Sequence, residues 1–182
     1  MRNLLGASRI LCCSLGLIFL ASGWNGLAAQ DSETPLRVYL RAGPKTHGPG
    51  EHDHPKFLED WTKLLTERGA LVNGSLNFPS GEELEQTDVL VFYAAEGGTL
   101  DPKQREDLDR YLKRGGGIVA LHDAVCGNDA QWFKTIIGGA WEHGHSKWKI
   151  GKLGLYMDGT PHPITKGIPH FDLEDELYFD LH

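Results

Sequence analysis

Residues 115–124, which read Gly-Gly-Gly-Ile-Val-Ala-Leu-His-Asp-Ala, are the stretch that decides the fold of this chain. The glycines predict the end of a helix, because glycine readily adopts the left-handed backbone that follows a last helical turn. The apolar residues 118–121 predict a short buried strand. His122 and Asp123 follow at the carboxyl end of that strand, the edge where open α/β sheets bind their ligands. The stretch therefore predicts both a sheet and the place of a site.

The first 29 residues have the pattern of a secretory signal peptide, with a positive start, an apolar centre and small residues before the cleavage point. Arg2 and Arg9 supply the charge, residues 10–21 are apolar, and Ala28 and Ala29 precede the expected cleavage. The apolar run is shorter than a stretch that usually crosses a bilayer. We expect export to the periplasm or the extracellular space, with no stable membrane span after cleavage. An uncleaved anchor is the alternative.

Removal of the signal peptide at residues 1–29 leaves one domain of ordinary size. We expect a polar linker at residues 30–35 and the domain itself at residues 36–182. The apolar pattern of residues 177–181 runs almost to the end of the sequence, with no closing helix or polar tail. This ending predicts a domain truncated at its carboxyl end.

The composition restricts the class of partner. The chain has a formal net charge of −7, and loss of Arg2 and Arg9 with the signal peptide would make it −9. An acidic surface repels phosphate backbones, so nucleic acid is not an expected partner. Cys126 would be the one cysteine left after cleavage, so the domain cannot form an internal disulfide. A small neutral or cationic ligand, or a metal ion, fits this balance.

Strand and helix patterns alternate through the domain, as they do in parallel sheets whose strands are connected by helices. The continuous apolar run at residues 88–95 is typical of a strand covered on both faces. Strands are predicted at 36–42, 70–77, 88–95, 118–121 and 148–157, with a strand or an extended arm at 173–181. Helices are predicted to start near Pro55, Ser80, Asp101 and Asn128. The fold class is therefore α/β, with a parallel sheet and helices on both of its faces.

His122 is expected to lie at a tight turn between a strand and a helix. The side chain at such a turn points out of the sheet, toward the positive end of the following helix. An imidazole in this place can act as a general base, as a metal ligand or as a nucleophile. A simple hydrogen bond to loop backbone is the alternative. Asp123, the next residue, can orient an imidazole or bind a substrate hydroxyl, or it can cap a helix.

Three histidines and two acidic residues lie close together after the first predicted strand: His47, Glu51, His52, Asp53 and His54. Imidazole and carboxylate groups are typical transition-metal ligands. Their spacing matches neither a zinc finger nor the His-Glu-x-x-His motif. We expect His47 or His52 to contact a substrate or a metal. A polar loop in which His54 merely precedes a helix is the alternative.

A third group of histidines lies at His143 and His145, between Trp141 and Trp148. Histidines two residues apart in an extended loop face opposite ways, so we expect only one of them to enter a site. We expect His145 to contribute to substrate or metal binding. The two tryptophans can stack on a sugar face, although packing in the core is the commoner fate of tryptophan.

Two acidic residues and one cysteine complete the candidates. Glu96 ends the third predicted strand at the same edge of the sheet, and Glu176 lies in the last predicted strand or extended arm, 173–181. Either carboxylate can bind substrate or transfer a proton, and a solvated loop is the alternative for each. Cys126 follows His122 by four residues and is expected to be an ordinary buried thiol. The sequence has no Walker loop, dinucleotide-binding glycine pattern or Gly-x-Ser-x-Gly motif, which argues against phosphate and dinucleotide chemistry.

Four segments taken in order resemble the ThuA-like (trehalose utilisation) family. These segments are the loop 47–54, the strand and turn at 115–124, the stretch 138–145, and the stretch from His-Pro-Ile at 162–164 to Asp-Glu-Leu-Tyr at 175–178. The resemblance implies a flavodoxin-like sheet related to class I glutamine amidotransferases. It also implies that His122 replaces the cysteine of those enzymes, so glutaminase activity is not expected. Members of the family are linked to disaccharide catabolism, including 3-keto sugar intermediates.

The same resemblance implies that His47, His122, His145 and Glu176 are functional residues. We expect an exported domain that processes a disaccharide or a keto sugar. His122, Glu176 and Asp123 are its candidate catalytic residues. Substrate is expected to contact His47, His52, His145 and Glu96, and a divalent transition metal is expected at His47, His122 and His145. A noncatalytic periplasmic module that binds carbohydrate or metal is the alternative.

Overall fold

The computed structural model of the chain describes residues 34–157, 159 and 162–182. The predicted signal peptide at 1–29 and most of the predicted linker lie outside the described residues. Helices and strands alternate over residues 37–137, and two longer strands follow. The elements are β1 (Arg37–Ala42), α1 (His54–Glu67), β2 (Leu71–Ser75), α2 (Gly81–Glu85), β3 (Val89–Tyr93), α3 (Pro102–Lys113), β4 (Gly117–Ala120), a single 3₁₀ turn (His122–Val125), α4 (Ala130–Ile137), β5 (Lys147–Leu155) and β6 (Phe171–Phe179).

The first four strands form a parallel sheet in the order β2-β1-β3-β4, which confirms the predicted α/β class. This order is that of flavodoxin-like sheets. β2 lies on one side of β1, and β3 and β4 lie on the other, so the strand order switches direction between β1 and β3. Loops that leave the carboxyl ends of those two strands diverge to opposite faces of the sheet. The resulting crevice is the usual ligand position in this class of fold.

Side chains alternate along each strand, and the two sets pack against different helices. One set includes Val38, Leu40 and Val91 and is covered by α1. The opposite set includes Tyr39 and Phe92 and packs with residues of α2, α3 and α4. Helices therefore cover both faces of the sheet, as the continuous apolar pattern of the strands predicts.

Several predicted helix starts are confirmed by their capping contacts. Ser80 and Glu83 form a capping box at α2, and Asp101 and Gln104 form another at α3. Each pair satisfies two backbone N–H groups that the first helical turn leaves free. Gly115 follows α3 with φ of 95°, a backbone conformation that only glycine adopts without cost.

The last two strands differ from the rest of the fold. β5 and β6 pair with each other in antiparallel register, from Lys147 opposite Phe179 to Leu155 opposite Phe171. They form a separate two-stranded sheet and do not extend the parallel one. A parallel pairing needs a crossover connection of a dozen or more residues, usually a helix, whereas an antiparallel pair needs only a turn. In the described part of the connection, residues 163–167 form turns.

In the described part of the chain, none of the helices has the length and the apolar character that a bilayer span requires.

Candidate active site

A cavity of about 1020 Å³ lies over the carboxyl ends of β1 and β3. Its volume is at the upper end of the range of small-molecule pockets. The loop after β1, the loop after β3, the 3₁₀ turn after β4 and the β5–β6 sheet all contribute to its walls. Its lining combines polar groups (His47, Glu51, His52, Glu96, His122, Asp123, His143, Asp175 and Glu176) with aromatic rings (Phe57, Trp61, Tyr93, Trp141, Trp148 and Tyr178).

His122 lies at the turn that its sequence position predicts. Its φ is 52°, which is the left-handed region that residues other than glycine rarely adopt. The 3₁₀ turn begins at this residue, directly after β4. This backbone lifts the imidazole out of the sheet and into the cavity, where 30% of the side chain stays exposed. Strain of this kind is often kept at functional positions.

Three groups that are distant in sequence meet around the Nε2 atom of His122. The Nε2 atom of His52 lies 3.1 Å away, and a carboxylate oxygen of Glu176 lies 3.6 Å away. The hydroxyl oxygen of Tyr178 is at 3.4 Å, and its ring stacks on the imidazole with centroids 5.1 Å apart. The loop after β1, the turn after β4 and the strand β6 thus bring their polar groups to one point.

Asp123 lies behind this cluster and contacts two imidazoles. Its Oδ2 atom is 2.9 Å from Nδ1 of His52 and 3.1 Å from Nε2 of His54. The contact with His52 is short but poorly aligned for a hydrogen bond, and the Oδ1 atom of Asp123 is buried without a partner among the described residues. Asp123 is therefore placed to orient imidazoles, one of the roles expected for it.

His54 is fully buried and has an acceptor at each ring nitrogen. Its Nδ1 atom is 2.8 Å from the carbonyl oxygen of Pro44, and its Nε2 atom faces Asp123. A carbonyl oxygen accepts hydrogen bonds, so Nδ1 of His54 donates to Pro44. The buried ring is thereby held in place between Pro44 and Asp123.

Burial controls the ionisation of the groups around the cluster. It lowers the pKa of His52, as do the neighbouring His47, His122 and His54, while Asp123 opposes them. Burial also raises the pKa of Tyr178, and the carboxylate of Glu176 raises it further. His52 is therefore favoured as a neutral imidazole with a free lone pair, and Tyr178 as a phenol that can donate a hydrogen bond.

Two other expected residues line the cavity outside the cluster. His47 is exposed, and its ring centroid lies 4.0 Å from that of His52. Glu96 accepts a hydrogen bond of 2.7 Å from Nε2 of His143, and both residues line the cavity. His143 was not expected here, because the sequence interpretation assigned the role to His145.

The structure does not bring His145 to the cavity. Residues 142–146 form a tight turn, in which the N–H groups of His145 and Ser146 donate to the carbonyl of Glu142. This turn directs His143 toward Glu96, while the ring of His145 stacks on that of His182 with centroids 4.4 Å apart. One histidine of the pair enters the cavity, as expected, but it is His143. The expected metal group of His47, His122 and His145 is accordingly not assembled.

Cys126 is a buried thiol at the cavity wall, and it does not occupy the turn position. Burial raises its pKa to about 12, and the carboxylates of Glu96 and Asp123 contribute in the same direction. A thiol in this state is protonated at neutral pH, whereas a nucleophilic cysteine must be a thiolate. The chemistry of a cysteine-dependent glutaminase does not fit this arrangement.

Among the described residues, two groups of side chains have ligand atoms close enough to hold a metal ion. The first is His52, His122 and Glu176, whose side chains are all partly exposed to the cavity. The second is His52, His54 and Asp123, in which the last two are buried. Only the first group leaves space for a substrate beside an ion.

Three residues that sequence reasoning did not assign to the site contribute to its geometry. His54 is the first residue of α1 and contacts Asp123, Tyr178 stacks on His122, and His143 pairs with Glu96. Tyr178 had a usable signal, because residues two apart on a strand share a face and Glu176 was already a candidate. His54 and His143 had no such signal, since their roles depend on loop conformation.

Comparisons with known proteins agree with this fold. The family model described as ThuA, trehalose utilisation, matches residues 44–182. Among solved structures, a ThuA-like protein from Bacteroides uniformis ATCC 8492 superposes with a TM-score of 0.64 at 20% sequence identity. The match covers 84% of this chain and 64% of that one, so this chain spans less than two thirds of its structural neighbour. None of the curated proteins matches the chain.

Proposed function

Since the chain belongs to the ThuA (trehalose utilisation) family, we propose that it binds and processes a disaccharide or a keto sugar in the cavity at the carboxyl edge of its sheet. The observation that carries this proposal is the convergence of His52, His122 and Glu176 at one point of that cavity. These residues come from three separate parts of the chain. Packing alone gives no reason to gather two imidazoles and a carboxylate beside open space.

The walls of the cavity suit a sugar. Carbohydrate rings present apolar faces and polar edges, so they bind best where aromatic rings adjoin hydrogen-bonding groups. Trp148 lines the cavity with 55% of its surface exposed, and Trp141 lines it with a buried indole N–H that has no partner among the described residues. These tryptophans offer stacking surfaces beside the polar cluster.

Proton abstraction next to a keto group is the chemistry that best fits the cluster. A sugar C–H bond breaks, its proton moves to a base, and the electron pair shifts onto the carbonyl oxygen as an enolate. His122 lines the cavity, and its imidazole can take the proton or hold a cation that stabilises the enolate. Glu176, 3.6 Å from His122, can accept or return a proton.

The proposal is tested by incubating the purified chain with a panel of disaccharides and their 3-keto forms, followed by mass spectrometry. We expect the wild-type chain to convert at least one keto sugar, and the His122→Ala variant to lose that conversion. His170→Gln is the matched control, because His170 is exposed and lies outside the cavity lining. Equal rates for wild type and His122→Ala would remove His122 from the mechanism.

The same panel distinguishes an enzyme from a binding module. A noncatalytic module would be stabilised by its sugar according to its affinity, with no product formed. Melting curves recorded with each sugar therefore accompany the mass spectra. Neither stabilisation nor product across the panel would contradict the proposal as a whole.

We also propose that the protein acts after export, on the strength of the charged start, apolar centre and small residues within 1–29. Amino-terminal sequencing of the protein recovered from a bacterial periplasmic fraction tests this. We expect the recovered chain to begin near Gln30. Full-length protein confined to the cytoplasmic fraction would refute export.

A further inference from the structure

We propose that His52, His122 and Glu176 together bind one divalent transition-metal ion, and that Asp123 orients His52 for this purpose. The inference deepens the proposed function, because the ion would share the cavity with the sugar and polarise its carbonyl. The ligand set differs from the one expected from the sequence, in which His145 took part. This difference makes the inference testable residue by residue.

The separations between the ligand atoms fit a single ion. The Nε2 atoms of His52 and His122 are 3.1 Å apart, and Nε2 of His122 is 3.6 Å from Oε2 of Glu176. Two nitrogen ligands at ordinary zinc distances in a tetrahedral site lie about 3.3 Å apart. An ion between these atoms can therefore reach all three with small side-chain adjustments.

The contact of Asp123 with His52 has the form of an outer-shell interaction. Histidines that bind metals through one nitrogen usually direct the other to a carboxylate or a carbonyl oxygen. Nδ1 of His52 lies 2.9 Å from Oδ2 of Asp123, which leaves Nε2 directed at His122. Coordination through Nε2 would keep the hydrogen on Nδ1, and a small rotation of the ring would align that hydrogen with the carboxylate.

A second observation points to a ligand at this place. Asp123 is 94% buried, lines the cavity and has one carboxylate oxygen, Oδ1, without any partner among the described residues. A buried carboxylate oxygen without a hydrogen-bond partner destabilises the folded state. Such an atom is retained where a bound group or its water completes the hydrogen bonding.

The charge of the ligand set also suits a divalent cation. Imidazoles coordinate metal ions as neutral groups. The carboxylate of Glu176 then supplies one negative charge against the two positive charges of the ion. The remaining positive charge is available to the oxygen of a sugar carbonyl or enolate.

The other possible group, His52 with His54 and Asp123, is a poorer metal site. Both nitrogens of His54 already face acceptors, and its side chain is fully buried. Catalytic metal sites have three protein ligands and an open position for water or substrate. The group of His52, His122 and Glu176 borders the cavity and has that open position.

The experiment is a titration of the EDTA-treated full chain with Zn²⁺ by calorimetry, repeated with Co²⁺ by visible absorption. We expect one ion per chain. Asp123→Asn should weaken binding about 10–100-fold, as outer-shell changes do, and His52→Gln and Glu176→Gln should weaken it further. Glu174→Gln and His145→Gln should bind like wild type. Glu174 is the exposed control on the same strand, and His145 belongs to the alternative ligand set.

Melting curves in EDTA show which variants are folded. If His52→Gln fails to fold, the metal affinity of Glu176→Gln tests the ligand set in its place. The absence of stoichiometric binding overturns the inference, as does binding that His145→Gln abolishes and Glu176→Gln does not affect. Sugar binding is measured separately in EDTA. Sugar bound by a chain that never binds metal would refute this inference alone. Metal bound by a chain that recognises no sugar would refute the proposed function alone.

Discussion

The Nε2 atoms of His52 and His122 lie 3.1 Å apart although 70 positions separate the two residues in the chain. His52 belongs to the loop after β1, and His122 starts the turn after β4. These strands are not neighbours, since β3 lies between them. The contact therefore crosses the crevice at the carboxyl ends of β1 and β3, and it depends on the conformation of both loops.

The left-handed backbone at His122 predicts an order of stability for two variants. His122→Gly and His122→Ala both remove the imidazole, but only alanine keeps a Cβ atom at a φ of 52°. A left-handed conformation costs about 1–2 kcal/mol for a residue with a Cβ atom. We expect His122→Gly to be more stable than His122→Ala by about 1 kcal/mol in urea denaturation. The reverse order would mean that this turn does not require a left-handed residue.

Gly97 is expected to control the position of the turn that carries His122. A Cβ atom at Gly97 would lie 2.6 Å from the carbonyl oxygen of Ala124, which is backbone and cannot move aside cheaply. We expect Gly97→Ala to destabilise the protein by about 1–3 kcal/mol, as overpacking does, and to weaken metal binding. Calorimetric titration and urea denaturation measure the two effects.

Gly151→Ala is the matched control for Gly97→Ala. Gly151 lies on β5, and a Cβ atom there would meet nothing within 4 Å. Stability and metal affinity close to those of wild type are expected for this variant. If Gly97→Ala behaved in the same way, the close packing of the loop after β3 against the turn after β4 would be in doubt.

The parallel sheet could be predicted because its signals are local. The apolar run of β3, the capping boxes of α2 and α3, and the glycines after α3 each act within a few residues. Alternation of strands and helices then restricts the topology to a small number of arrangements. The carboxyl edge of the sheet, and with it the position of His122, follows from that topology alone.

The details of the site could not be predicted in the same way. Whether His143 or His145 enters the cavity depends on the turn at residues 142–146. Two histidines at this spacing look alike in the sequence, so their pattern does not indicate which one enters. The antiparallel pairing of β5 with β6 places Glu176 and Tyr178 beside His122. No periodicity in the sequence specifies that partner, because strand pairing between distant segments is a tertiary property.

Trp148 provides a test of sugar stacking that does not disturb the core. Its side chain is 55% exposed and lines the cavity, so Trp148→Ala should leave the melting temperature nearly unchanged. Aromatic stacking contributes about 0.5–1.5 kcal/mol, which corresponds to a loss of sugar affinity of about 2–12-fold. Tyr156→Ala is the control, since Tyr156 is exposed outside this cavity. Equal losses for both variants, measured by calorimetry, would contradict stacking at Trp148.

The ion pair of Arg37 with Asp88 predicts how stability depends on acidity. Hydrogen bonds from the guanidinium and the backbone N–H of Arg37 lower the pKa of Asp88 to about 2, from an ordinary value of 3.8. A carboxylate with a depressed pKa in the folded state stabilises it above the ordinary value, and this stabilisation disappears as the pH falls toward the folded value. We expect Asp88→Asn to melt below wild type at pH 6, with a difference that decreases between about pH 4 and pH 2.

Arg37→Gln isolates the cause of this dependence. In the Arg37→Gln background the carboxylate has lost its guanidinium partner, so a further Asp88→Asn change should have a smaller effect that varies less with pH. The four melting curves form a double-mutant cycle, whose coupling term belongs to the pair. Because Asp88 precedes β3 and Arg37 starts β1, this coupling would measure how firmly the two central strands are held at the end opposite the cavity. A coupling that stayed constant from pH 6 to pH 2 would assign the stabilisation to packing and not to charge.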